Sequence, residues 1–105
     1  MEKIYKQLDR LGYPARLTGT GYLAEAVRIV SDDRRALMCK DVYPAIAAAA
    51  GVRASAVERN IRTATAAAIR SEVWSSEWRS IGGTPKTPCS SEVAHRLARI
   101  LANEN

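Results

Sequence analysis

Glycine and proline divide the chain into short stretches, and within each stretch the apolar residues recur at helical spacing. Ile4, Leu8 and Leu11, for example, lie three or four positions apart, and Gly12 ends that stretch. Alternating strand patterns are nearly absent. This punctuation predicts an all-α, compact six-helix domain, with helices over about 2–11, 22–31, 41–50, 55–70, 75–81 and 90–102.

Length and composition narrow the class of protein further. The 105 residues suffice for one domain, and 47% hydrophobic with 26% charged residues is typical of a globular chain. The longest apolar run, residues 45–50, is far shorter than the roughly 18 to 20 residues that span a bilayer. The N-terminus also lacks the apolar core of a signal peptide. We therefore expect a single cytoplasmic domain over residues 1–105, without a membrane partner.

Residues with catalytic or metal-binding chemistry are few and scattered. Cys39 and Cys89 are far apart and form no CxxC or Cys/His spacing, so we expect reduced thiols and no metal. The single histidine, His95, lies within a helix and has no nucleophile in a recognisable pattern beside it. Phosphate-loop and zinc-protease motifs are missing, so we expect neither a cofactor nor an enzyme. Trp74 and Trp78, four positions apart, are predicted to be core or interface anchors.

The excess positive charge is local. Three of the five excess charges lie within residues 53–70, and the sequence pI is about 9.6. Such a basic patch is typical of proteins that bind nucleic acid, an anionic membrane or an acidic partner. A solvated helix face without a binding role is the alternative interpretation.

Small residues in the centre of the chain predict a helix-turn-helix. The first helix, over about 41–50, has Asp41 as a candidate N-cap, Pro44 in its first turn and Gly51 at its end. The second helix, over about 55–70, follows directly. Small side chains allow two such helices to cross closely, as this motif requires.

The second helix separates into two faces. Ser55 and Glu58 have the spacing of a capping box, in which each side chain accepts a hydrogen bond from the other residue's backbone N–H. At about 100° per residue, the buried stripe consists of Val57, Ile61, Ala64 and Ala68. The opposite face carries Ser55, Arg59, Arg62 and Arg70, with Glu58 and Thr63 on its flanks. Arginines on such a face can donate two hydrogen bonds to guanine in the DNA major groove.

Two segments carry a family resemblance: Tyr-Pro-Ala-Ile-Ala at 43–47 and Ala-Ser-Ala-Val-Glu-Arg-Asn-Ile-Arg at 54–62. Together they resemble the C-terminal effector domain of the master response regulator of endospore formation. Shorter stretches at 11–15, 22–26 and 91–93 agree, so the resemblance covers roughly residues 5–101.

The resemblance implies a bacterial sporulation transcription factor domain of six helices that binds double-stranded promoter DNA, often as tandem copies. A homodimer on tandem sites is therefore an expectation. By the family pattern, Glu58, Arg59 and Arg62 face DNA, and the segment near 72–81 contacts the RNA polymerase sigma factor. We expect secondary contacts, mainly to phosphate, from Arg53, Ser55, Thr63 and Arg70.

The sequence also departs from the family pattern. Ala56 stands where the family commonly has arginine, and Thr63 stands where it commonly has histidine. The loop over 83–90 is shorter, and the 105 residues leave no room for a receiver domain. The alternative function is therefore a protein-interaction module of the same fold that has lost specific DNA binding.

Overall fold

Six α-helices joined by short turns make up the computed structural model, which describes residues 1–104. They are α1 (Glu2–Arg10), α2 (Thr18–Asp32), α3 (Tyr43–Ala50), α4 (Ala54–Ile69), α5 (Trp74–Ser80) and α6 (Ser90–Asn103). A π-helical turn, Met38–Val42, leads into α3, and residues 1–104 contain no strand. The predicted all-α, six-helix class is confirmed. Within this described part, no helix combines the length and apolar character needed to cross a membrane.

Helix α2 lies at the centre of the domain and packs most extensively against α4 and α6. Its apolar stripe is fully buried, and includes Leu23, Val27 and Val30. Val93 and Leu97 of α6 close the core from the other side. Packing against α2 therefore holds α4 in place on the core, and only one face of α4 remains exposed to solvent.

The start of α2 differs from the prediction. The sequence predicts a helix that begins at about Tyr22, but the helix begins at Thr18. Thr20 is buried and its hydroxyl donates to the carbonyl of Pro14 at 2.7 Å, while Gly19 packs on the backbone of α4. Tertiary packing thus overrides the low helix propensity of the two glycines in this turn.

The role predicted for Asp41 is wrong. Helix α3 begins at Tyr43 and has no side-chain cap among the described residues. The Asp41 carboxylate instead accepts the backbone N–H of Leu37 at 2.8 Å, at the start of the π-helical turn. This turn displaces Asp41 from the N-cap position, whereas Pro44 lies in the first turn of α3, as predicted.

The two tryptophans join α5 to the core, as predicted. Trp74 and Trp78 are buried, and their rings stack with centroids 5.2 Å apart. Tyr13 packs edge-on against Trp74, and the Arg96 guanidinium of α6 lies 5.4 Å from the Trp78 ring centroid. This aromatic cluster connects α5 and α6 to the end of α1.

Candidate nucleic-acid interface

Helices α3 and α4 form the predicted helix-turn-helix. Gly51 ends α3 with φ +71°, in the left-handed region that glycine adopts most easily. The next N–H, from Val52, donates to the carbonyl of Ala47 at 3.1 Å and closes the turn. The chain therefore reverses within residues 51–53 and enters α4 at Ala54.

The two faces of α4 agree with the sequence prediction. The residues expected in the core are fully buried: Val57, Ile61, Ala64 and Ala68. The predicted DNA-facing residues reach solvent, with Glu58 half-buried and the others exposed: Arg53, Ser55, Arg59, Arg62, Thr63 and Arg70. The polar side chains of Ser55, Glu58, Arg59, Arg62 and Thr63 therefore lie on the part of α4 that reaches solvent.

The predicted capping box does not form. Arg53 occupies the N-cap position of α4, with no side-chain cap in the described part of the chain. Its carbonyl accepts the N–H groups of Ala56 and Val57 at 3.0 and 3.2 Å. Ser55 is thus the second residue inside the helix and Glu58 the fifth, so neither occupies the N-cap or N3 position that a capping box requires. The Glu58 carboxylate lies instead 3.5 Å from Nη1 of Arg62.

Replacing Ser55 with alanine is therefore expected to change the free energy of unfolding by less than about 0.5 kcal/mol. Loss of a capping hydroxyl would cost about 1 kcal/mol. Asp41→Ala is the matched control, because its carboxylate does accept a backbone N–H, and it should cost about 1 kcal/mol. Urea unfolding followed by far-UV circular dichroism measures both. A Ser55→Ala loss equal to that of Asp41→Ala would contradict the helix start at Ala54.

The spacing along α4 separates the candidate contacts into two groups. Ser55 and Arg62 are seven residues apart, or about 10 Å along the axis, which is within the roughly 12 Å width of the major groove. Arg70 lies about 12 Å beyond Arg62. The first two turns can therefore enter a groove together, while Arg53 and Arg70 lie at the two ends of α4.

Arg59 and Arg62 differ in their surroundings. Arg59 makes no hydrogen bond or ion pair within residues 1–104, so its guanidinium is available to a ligand. Arg62 pairs with Glu58, but the two side chains are 70% and 45% exposed. A pair this exposed contributes at most about 1 kcal/mol, so a stronger partner can displace Glu58.

A groove of about 510 Å³ runs beside this surface, between one flank of α4 and the segment 87–91. Glu58, Arg62 and the buried Tyr43 line it, together with Cys39 and Cys89. Burial raises the pKa of the Tyr43 hydroxyl, opposed by the neighbouring Ser90. Sequence reasoning missed this groove because nothing in the local pattern indicates that segment 87–91 packs beside α4.

The two cysteines remain free and exposed, and form no disulfide in the described structure. Among residues 1–104 no group of three or more histidine, cysteine or acidic side chains is arranged to hold a metal. The chemistry of the exposed α4 surface therefore rests on arginine, hydroxyl and carboxylate groups.

A helix-turn-helix that exposes arginines on its second helix, within an all-α domain, defines a class: DNA-binding domains of transcription regulators. The family model described as "Sporulation initiation factor Spo0A C terminal" matches residues 4–101. The chain belongs to this family of DNA-binding effector domains of a sporulation regulator, which is a transcription factor family and not an enzyme family. No curated protein matches the chain. The family resemblance found in the sequence is confirmed.

Proposed function

We propose that this domain binds double-stranded promoter DNA sequence-specifically, with α4 in the major groove, and so regulates transcription initiation. The observation that carries the proposal is the pair Arg59 and Arg62 on the exposed face of α4, opposite a fully buried stripe. Arginine donates two hydrogen bonds to guanine O6 and N7, the commonest specific contact in the major groove. A promoter-binding role implies that the protein works in the cytoplasm, where the chromosome is.

The proposed roles follow from position along the helix. Arg59 and Arg62 contact base edges, and Glu58 accepts from a cytosine amino group. Arg53 and Arg70, at the two ends of α4, contact phosphates, as do the exposed hydroxyls of Ser55 and Thr63. Ala56 and Thr63 replace longer side chains of the family pattern. Arg59 and Arg62 therefore make a larger share of the proposed base contacts.

The direct test is a fluorescence-anisotropy titration of a duplex carrying the family's promoter box against a scrambled duplex, at two salt concentrations. Specific binding predicts higher affinity for the box, and several phosphate contacts predict a steep fall in affinity with salt. Equal, salt-sensitive binding to both duplexes would mean that the domain reads another box. Absence of binding to either duplex would reject the proposal.

Arg59→Ala is expected to weaken binding to the box by about 1–3 kcal/mol and to relax base preference at one position. Arg16→Ala, an exposed arginine in the loop before α2, removes the same charge away from α4 and is the control. A set of single-base variants of the box, titrated with both proteins, gives the measurement. An equal loss on every duplex would assign Arg59 to phosphate instead.

Further partners are proposed for two other surfaces. The segment 72–81 buries the two tryptophans of α5 and exposes one apolar side chain, Val73, among polar ones: Glu72, Ser75, Ser76, Arg79 and Ser80. We assign the contact with the RNA polymerase sigma factor to this polar surface. A homodimer on tandem sites is the proposed arrangement on DNA, with one copy of the domain per box.

A protein-interaction module is the second candidate, favoured by the loss of long side chains at Ala56 and Thr63. The apolar docking surface that this function needs is not provided by Trp74 and Trp78, because their side chains are buried. The groove beside α4 is one apolar surface that such docking could use. Affinity for such a partner would depend weakly on salt, in contrast to DNA.

A further inference from the structure

A basic cleft lies between the end of α2 and the middle of α6, away from the face of α4. Arg34, His95 and Arg99 line it, over an apolar floor of Val30 and Ala98, and its volume is about 200 Å³. Arg34 follows α2 directly, and His95 and Arg99 are one turn apart on α6. The fold therefore brings together three nitrogen-bearing side chains from segments more than 60 residues apart.

The two guanidinium groups of this cleft have no internal partner. Neither the Arg34 nor the Arg99 side chain makes a hydrogen bond or ion pair with any of residues 1–104. The carboxylates nearest in sequence are engaged elsewhere: Asp32 lies 3.5 Å from Arg28, and Asp33 accepts the backbone N–H of Arg35 at 3.0 Å. Neither carboxylate lines the cleft.

His95 adds a third polar group in a defined orientation. Its Nδ1 lies 2.8 Å from the backbone carbonyl oxygen of Ser91. Because a carbonyl oxygen only accepts, Nδ1 carries the hydrogen, and the other ring nitrogen, Nε2, remains without a partner in the described chain. Nε2 can accept from a protonated oxyanion or, when protonated itself, donate to a charged one.

We propose that this cleft binds a phosphate group. Two guanidinium forks and an imidazole provide several donors for oxyanion oxygens, and arginine is suited to phosphate because its planar fork binds two oxygens at once. The end of α2 contributes carbonyl groups and a partial negative charge there. The side chains must therefore hold the anion, and loss of either arginine should remove most of the binding.

The phosphate can belong to a soluble phosphorylated molecule or to the DNA backbone, and the chemistry of the cleft is the same for both. None of the lining residues belongs to α4. The proposal therefore does not depend on base reading by Arg59 and Arg62, and it can succeed or fail separately.

The test uses the single histidine of the chain, whose imidazole NMR signals need no further assignment. Inorganic phosphate is titrated into the full chain at fixed pH, with sodium chloride at matched ionic strength as the reference. We expect a saturable shift with phosphate only. Arg34→Gln and Arg99→Gln should each weaken this binding by about tenfold or more. Arg16→Gln, in an exposed loop, should leave it unchanged.

Two results would overturn the proposal: equal shifts with phosphate and chloride, or unchanged phosphate binding in both arginine variants. A second titration with duplex DNA distinguishes the sources. If the duplex shifts the His95 signals and each variant lowers the salt slope by about one, the phosphate belongs to DNA. If the duplex leaves His95 unchanged while free phosphate still binds, the ligand is a soluble phosphorylated molecule.

Discussion

Replacing Gly19 with alanine is expected to lower the free energy of unfolding by about 3 kcal/mol or more. A Cβ at this position would collide with the backbone carbonyl of Asn60 and lie 2.9 Å from the backbone nitrogen of Ile61. Both atoms belong to the main chain of α4 and cannot rotate away as a side chain would. The added methyl group must therefore push α2 and α4 apart, at the most extensive helix contact of the domain.

Gly21→Ala, two residues further along the same helix, is the matched control. Its Cβ would have the Tyr5 hydroxyl oxygen as nearest neighbour, at 3.7 Å, which is an ordinary contact. Since alanine is the better helix former, this variant should gain about 0.5–1 kcal/mol. Urea unfolding of both variants by far-UV circular dichroism gives opposite signs if close approach is the cause. A similar change in both would mean that α2 does not approach α4 as described.

Truncating Trp78 to alanine should cost about 3–5 kcal/mol. The side chain is 2% exposed, stacks on Trp74 and lies beneath the Arg96 guanidinium. Its removal leaves a cavity where α5 meets α6 and releases the α5 contacts on both sides. A domain of this size has a stability of roughly 5–15 kcal/mol, so the variant should be marginal at 37 °C.

Trp78→Phe separates the loss of packing from the loss of the indole N–H. The Nε1 atom of Trp78 is buried and has no hydrogen-bond partner within residues 1–104, and such burial costs about 1–3 kcal/mol. Phenylalanine removes this unpaired donor and keeps most of the ring contacts, so it should lose less than half of what alanine loses. Thermal unfolding by circular dichroism compares the two. Equal losses would show that the N–H is bonded in solution.

The main features of the fold could be predicted from the sequence because they depend on periodicity. The stripe from Val57 to Ala68 indicates which side of α4 is buried, and Gly51 indicates where α3 ends. The start of α2 could not be predicted in this way. Glycine is a residue type typical of loops, so the sequence around Gly19 does not indicate a helix. Only the close approach of α4 explains why the helix needs glycine at this position.

The exposed face of α4 could be predicted from the sequence, but the local contacts on that face could not. Ser55 and Glu58 match a capping box, yet the N-cap lies two residues earlier, at Arg53, and Glu58 pairs with Arg62. The cleft formed by Arg34, His95 and Arg99 has no sequence signal, because its members meet only when α2 packs on α6. The local sequence pattern determines which face of a helix is buried, whereas residues from distant segments determine which side-chain contacts form.

The internal pair between Glu58 and Arg62 implies that the two arginines proposed to read bases differ in how strictly they would do so. Where Glu58 has no cytosine partner in the proposed complex, an Arg62 that meets a wrong base can return to the Glu58 carboxylate, 3.5 Å from it in the free domain, and this reduces the free-energy penalty for the mismatch. The Arg59 side chain has no such ion-pair partner within the described chain. The position of the promoter box opposite Arg59 would then accept fewer different base pairs than the position opposite Arg62. Related promoters could therefore differ in affinity through the base pair at that second position alone.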